Sequence, residues 1–317
     1  MTSFALDPEI AAALAALAEG HATPPSRPAR GDWKSLRDIA NANLELWGKL
    51  LPEHSDVATT TFWTKAPDGT EIELRWYRKR DSEPGSAVVF AHGGGLVAGS
   101  LDIYDPVVAD LAHRSGVPFL SVQYRTAPVG TGVIPAEDAF AGICWLVEHA
   151  AMLNVDPKRI AGMADSGGGA VMAGASILAR DRRVRLARQI FIYPMLDDRS
   201  PTPDSHLEPF LTWNYDSNFT GWSALLGADI GSDAVSPVAA PARLIDFSGL
   251  PPTYIEVGEL DLFRDEDVAY ATQLSKAGVS VELHVHPGAP HGFDRFAPNS
   301  QLALRAMDDR VRVLQSF

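Results

Sequence analysis

Cysteine is nearly absent from this 317-residue chain: Cys144 is the only one, so no disulfide can form within it. That thiol lies in the apolar run Ile143-Cys144-Trp145-Leu146-Val147, a setting that suits a buried core side chain better than a nucleophile. Positive charge is scarce too, with 27 Lys and Arg against 40 Asp and Glu and a net charge of -13. Nucleic acid and anionic membranes are therefore poor partners, because their phosphates would be repelled. Long apolar runs are also missing. The Ala/Leu-rich stretch from Ile10 to Ala18 is too short to span a bilayer, and with Asp7 and Glu9 and no basic segment before it, it makes a poor signal peptide. The cytoplasm is the default location. There is no internal repeat and no low-complexity tract. What is present is ordinary globular composition, 46% hydrophobic and 21% charged, in a length slightly beyond one hydrophobic core. One large domain with an accessory piece is expected.

The order of elements predicts where that piece lies. Asp7-Pro8-Glu9-Ile10 opens a helix with Ile10, Leu14 and Leu17 on one face, and Gly20 stops it. Residues 22–28, with three prolines, are neither helix nor central strand, and a second helix runs from Trp33 to about Leu50 with Leu36, Ile39, Leu44 and Trp47 as candidate buried positions. Both helices precede any strand, so residues 1–50 are assigned to an accessory layer. Thr59 to Trp63 and Ile72 to Tyr77, joined by the Pro67-Asp68-Gly69 turn, alternate as a half-solvated antiparallel hairpin. Six short apolar runs follow, beginning at Ala87, Phe119, Ile160, Gln189, Thr253 and Val281, most of them separated by helix-length stretches. That alternation predicts an α/β fold: a mostly parallel central sheet with an antiparallel N-terminal hairpin and helices on both faces. Such sheets carry their sites at the carboxyl ends of strands.

Three features sit at such ends. After the run at Ile160, Asp165-Ser166-Gly167-Gly168-Gly169 reads as strand, tight turn and helix with Ser166 at the tip. Small residues two positions either side, Ala164 and Gly168, let the strand and helix approach. By itself this turn also suits a phosphate loop or a purely structural turn. After Ala87 to Phe90 comes His92-Gly93-Gly94-Gly95, whose consecutive backbone N–H groups can converge on one oxyanion. Gly93 to Ala98 also satisfies the dinucleotide fingerprint G-x-G-x-x-A, but that motif wants a helix at once and an acidic residue closing the next strand. Here the helix is expected only near Asp105-Pro106, and the next strand ends in Gln123-Tyr124-Arg125, where Arg125 could suit a 2′-phosphate. His291 occupies a loop after the last strand, and Asp261 lies just past the strand ending near Val257. Taken singly, these are a surface histidine and a helix N-cap. The chain order Ser166, Asp261, His291 is that of a nucleophile-elbow hydrolase. Asp265, Glu266 and Asp267 are the rival acids, and a helix beginning there accounts for them through its dipole.

The chain resembles the hormone-sensitive-lipase-like family of α/β-hydrolases, bacterial family IV esterases that pair an HGGG loop with a GDSAGG elbow. His92-Gly93-Gly94-Gly95 matches intact, and Tyr124 to Pro128, Pro135 to Ala139, Asp261 to Glu266 and His291-Gly292-Phe293 resemble further family segments. The departures are Ala164 for the elbow glycine, Gly167 for the alanine after serine, and Val129 where glutamate is usual. The resemblance implies a carboxylic ester hydrolase for short-to-medium acyl esters, with Ser166, Asp261 and His291 catalytic and the N–H groups of Gly94, Gly95 and Gly167 as oxyanion hole. Gly93 is a further candidate that shapes the loop, and His92 anchors it. It implies no metal and no cofactor, a small-molecule ester as partner, and assembly that extends to a homodimer. It also implies a helical cap from residues 1–50 and an insertion at 196–235, around core segments 51–195 and 236–317. Within the insertion Phe210, Trp213, Tyr215, Phe219 and Trp222 are candidate pocket residues. A non-catalytic small-ligand receptor on the same fold, or a dinucleotide-binding protein, are the alternatives.

Overall fold

The computed structural model describes residues 4–19, 28–83, 85–199 and 202–317; the expected stop at Gly20 and the helix-free residues 22–27 lie outside them. Helix α1 spans Pro8–Glu19, and Asp7 Oδ1 accepts from the N–H groups of Glu9 and Ile10 at 2.9 and 3.3 Å. Helix α2 spans Trp33–Gly48 and is capped by Asp32, whose Oδ1 accepts from Ser35 N at 3.1 Å. Strands β1 (Val57–Lys65) and β2 (Glu71–Lys79) form the expected antiparallel hairpin, turning at Gly69 with φ of 86°. Then come β3 (Ala87–Ala91), α3 (Leu101–Ser115), β4 (Phe119–Val122), α4 (Ile134–His149), β5 (Ile160–Asp165), α5 (Gly168–Asp181) and β6 (Arg188–Ile192). Within the segment expected as an insertion lies α6 (Tyr215–Leu226), and the chain closes with β7 (Thr253–Gly258), α7 (Arg264–Lys276), β8 (Val281–His286), the short α8 (Phe293–Phe296) and α9 (Gln301–Leu314).

The eight strands lie in the order β1-β2-β4-β3-β5-β6-β7-β8, and β3 to β8 are parallel. This order locates a site before any side chain is considered. The chain steps one way from β3 to β4 and then returns past β3 to β5. Right-handed crossovers in opposite directions put α3 and α4 on opposite faces of the sheet. The strand order reverses at β3, and the crevice outside the carboxyl ends of β3 and β5 is where such sheets bind ligands. Both glycine-rich motifs open there. Strands β3, β5 and β7 are buried at every residue, whereas β8, at the sheet edge, leaves Leu283 and Val285 exposed.

Three expectations need correcting. Helix α3 begins at Leu101, not near Asp105-Pro106, because Ser100 caps it through Ile103 N and the helix absorbs Pro106 in its second turn. Cys144 is half-buried on α4 rather than enclosed in the core. The acids opening α7 are not all solvated dipole partners either. Asp265 is exposed, but Glu266 is half-buried and Asp267 is fully buried.

Glu266 Oε1 accepts from Leu196 N and Asp197 N at 2.7 and 3.2 Å, while both carboxyl oxygens of Asp267 lack a partner among the described residues. Burial, then the charges of Glu266 and Asp261, raise the Asp267 carboxyl well above its ordinary range. A carboxyl raised in the folded state contributes its stability below the unfolded pKa and loses it as pH rises toward the folded one. Asp267→Asn should therefore be more stable than the parent at pH 8 by about 1–3 kcal/mol, with a smaller gain at pH 5. Urea melts at both pH values check this, and a variant no more stable at pH 8 contradicts it.

Candidate active site

Ser166 sits between β5 and α5 with φ of 50°, a left-handed conformation that costs a non-glycine residue strain. Backbone bonds on both sides hold it there: its N–H donates to Ile192 O at 2.9 Å, and its carbonyl accepts from Gly169 N and Met195 N at 2.8 and 2.9 Å. The small residues around it are sterically required. A Cβ on Gly168 would lie 2.3 Å from Ala91 O, and one on Gly167 would lie 2.7 Å from Gly95 N. The turn and the glycine-rich loop after β3 are thus in backbone contact. Ala164, in place of the family's glycine, is fully buried in β5 opposite Ala91 and Phe191.

The side chain of Ser166 meets His291, whose Nε2 lies 2.9 Å from Oγ. His291 Nδ1 is 2.8 Å from Asp261 Oδ2. The carboxylate can only accept, so the shared proton belongs to Nδ1, and Nε2 is left to accept from serine. Asp261 is fully buried in the turn three residues past the end of β7, and its other oxygen accepts from Phe263 N at 3.0 Å. Two aromatic edges fix the imidazole plane, Tyr193 at 4.7 Å and Phe263 at 5.1 Å between ring centroids. The structure thus brings Ser166, Asp261 and His291 together and leaves Asp265 outside, paired to Arg264 at 2.7 Å.

The glycine-rich loop is anchored from three directions. His92 is buried and stacks on Tyr124 at 4.4 Å; its Nδ1 donates to Gly93 O at 2.8 Å, and the Tyr124 hydroxyl donates to the His92 carbonyl at 2.6 Å. Burial lowers this imidazole, so it stays neutral. A Cβ on Gly93 would strike the Tyr104 hydroxyl at 2.6 Å, which accounts for that glycine as a packing requirement. Gly94 and Gly95, with φ of 125° and 58°, line the cavity in front of Ser166. From α2, Arg37 donates to the carbonyls of Val97 and Ala127, both at 2.6 Å, and Asn41 Oδ1 accepts from Gly99 N at 2.8 Å.

Behind the site lies a buried ionic web that the sequence did not signal. Asp165 accepts from Tyr104 and Arg295 at 3.0 and 2.6 Å; Asp294 accepts from Tyr193 and Arg310 at 2.8 and 2.6 Å; and Arg310 reaches Glu256 at 2.5 Å. Burial alone would raise the Asp294 carboxyl, but the charges of Arg310 and Arg295 outweigh it and bring it down to about 2. Asp294 and Arg295 follow His291 by three and four residues, so this web fixes the histidine loop to β6, β7 and α9. An Asp-Arg pair that close to the histidine was the available clue.

The cavity holds about 270 Å³. One wall is α2, through Leu36, Ile39, Leu44 and Trp47, which explains why the last three are only half-buried. The opposite wall is the extended segment Leu211-Thr212-Trp213. Of the five aromatic candidates only Trp213 reaches the cavity. Tyr215, Phe219 and Trp222 are spaced i, i+4, i+7 and share one face of α6, which packs elsewhere. Trp222 is wholly buried, Phe219 lies under the Arg30 guanidinium at 3.7 Å, the Tyr215 hydroxyl accepts from Asp204 N at 2.9 Å, and Phe210 packs against the core. Arg125, the residue suited to a 2′-phosphate, is engaged by Asp138 and Asp68. Elsewhere His54, Asp56 and His113 bring potential metal-ligating atoms within 4.8 Å, but their ring nitrogens already pair with Asp110 and Asp56 at 2.8 and 2.9 Å.

Residues 88–295 match a protein family described by its alpha/beta hydrolase fold. The chain belongs to that family. Several curated relatives of this α/β-hydrolase are named as esterases. Carboxylesterase NlhH of Mycobacterium tuberculosis is 37% identical over 257 residues, 78% of each chain, and ethyl acetate hydrolase of Pseudomonas putida is 35% identical over 248 residues, 76% of each. Among solved structures, bacterial heroin esterase superposes with a TM-score of 0.86 at 32% identity, covering 98% of this chain and 97% of that one. The hormone-sensitive-lipase-like resemblance read from the motifs agrees with these relatives. No helix among the described residues of this α/β-hydrolase is long and apolar enough to cross a membrane.

Proposed function

We infer that this chain is a carboxylic ester hydrolase that works through an acyl-enzyme on Ser166. Ser166 Oγ attacks the ester carbonyl carbon as His291 Nε2 takes its proton, and the carbonyl electron pair moves onto an oxyanion facing the N–H groups of Gly94, Gly95 and Gly167. Collapse expels the alcohol, protonated by His291, and leaves the acyl group on serine. Water then repeats the sequence, releasing the carboxylic acid and restoring the hydroxyl. Asp261 holds the imidazole tautomer throughout. The observation that carries this reading is the continuous chain Ser166–His291–Asp261, at 2.9 and 2.8 Å, opening into an apolar-walled cavity. Incubation with p-nitrophenyl acetate tests it: release of p-nitrophenol is expected within minutes. A receptor or dinucleotide-binding protein would show none.

The substrates we assign are esters of short-to-medium acyl chains, small molecules handled in the cytoplasm by a core that residues 1–50 and 196–235 cap. The closed sides of the cavity, α2 and the Leu211–Trp213 segment, favour that size, and the name of the ethyl acetate hydrolase points the same way. Butyryl esters should turn over faster than palmitoyl esters of the same alcohol. A kcat/KM favouring palmitate contradicts the size assignment.

A further inference from the structure

We propose that the cap insertion does more than wall the cavity: through Trp213 and α6 it holds Gly95, and so positions one of the oxyanion donors. The proposal rests on the oxyanion role given to Gly95 above. Three successive glycines can fan their N–H groups toward one point, but such a backbone has more freedom to lose than any other, so it holds an aim only where its surroundings fix it. Gly93 is fixed by Tyr104 and the elbow, and Gly94 by the turn that returns through Ala98. Gly95 meets the elbow on its N–H side, at Gly167, and its Cα and carbonyl are met by the insertion.

Two contacts do this. A Cβ built on Gly95 would lie 2.2 Å from Cη2 and 2.4 Å from Cζ2 of Trp213, so the outer edge of the indole is seated against its Cα. At the carbonyl, a Cβ built on Gly221 of α6 would lie 2.4 Å from the Gly95 oxygen. Gly95 is thus met by an indole at its Cα and by a helix backbone at its carbonyl, both from the same insertion. Trp213 itself is placed by packing, since its indole N–H is buried without an acceptor among the described residues. One residue earlier, Thr212 Oγ1 donates to the carbonyl of His291 at 2.6 Å. The segment therefore links the oxyanion loop to the histidine loop. Trp213 acts as a positioning residue through Gly95, and the absence of a side chain at 221 is what lets α6 close on that carbonyl.

The test uses Trp213→Ala and Gly221→Ala, because they disturb Gly95 at its Cα and at its carbonyl respectively and only the first changes the cavity wall. For both variants kcat with p-nitrophenyl acetate should fall about tenfold or more while KM stays within about threefold, as expected for a donor misaimed toward the transition state. Affinity for a trifluoromethyl ketone, whose adduct with serine carries the same oxyanion, should fall by a similar factor. Trp213→Phe keeps an aromatic ring but not the outer edge of the indole, and should lie between parent and alanine variant; it serves if either alanine variant melts below the assay temperature. The proposal is overturned if the folded variants keep kcat within threefold of the parent. It is equally overturned if kcat falls with ketone affinity unchanged, or if Trp213→Ala only lengthens the preferred acyl chain. A parent that hydrolyses no ester would instead sink the proposed function.

Discussion

Ser166→Ala should retain the fold and the melting temperature of the parent and lose about 10⁴-fold or more in ester hydrolysis. The loss is large because, among the described residues, the Ser166 hydroxyl is the nucleophile hydrogen-bonded to His291 Nε2, at 2.9 Å. The fold should survive because Ser166 is held by its backbone, through Ile192, Gly169 and Met195, while Oγ makes the histidine bond alone. Replacing serine by alanine leaves the strained φ of 50° in place, so stability should barely move. Residual activity within tenfold of the parent would contradict the assignment.

The second large effect belongs to Asp261. Asp261→Asn should lower kcat by about 10³–10⁴, because an amide facing Nδ1 can donate and thereby favours the tautomer whose Nε2 carries the proton and cannot accept from serine. Asp265→Asn is the control. Its carboxylate is exposed and, among the described residues, pairs with Arg264, so the change should cost a few tenths of a kcal/mol of stability at about unchanged kcat. If Asp265→Asn were inactive and Asp261→Asn active, the acid would be misassigned despite the 2.8 Å contact.

The parts of this molecule legible in its sequence are those in which one residue type answers one local demand. Alternation marked the β1–β2 hairpin and continuous apolar runs marked the buried strands, since burial on one face or on both leaves distinct periods. Glycines in both turns and the chain order of Ser166, Asp261 and His291 carried the site, because backbone crowding there excludes side chains, as at Gly168 against Ala91. What was illegible depends on partners distant in sequence. Arg37 clamps a loop 60 residues away, and Arg310 joins Glu256 to Asp294 across 54 and 16 residues; nothing local distinguishes these from surface arginines. Glu266 and Asp267 looked like a solvated first turn because the dipole rule concerns helix ends alone, whereas tertiary packing decides whether that turn meets water. The aromatic residues of α6 misled for a related reason: their helical spacing pointed to packing, and the cavity meets the extended segment before them.

The claim at the centre of this account is that turnover passes through an ester of Ser166. Rapid-quench mass spectrometry during hydrolysis of p-nitrophenyl acetate measures it directly, by following the mass of the peptide that contains residues 160–181. The account predicts one acetyl group on Ser166, appearing in step with the burst of p-nitrophenol and disappearing as substrate is exhausted. Turnover with no acetylated peptide, or acetylation at another residue in step with the burst, would contradict it.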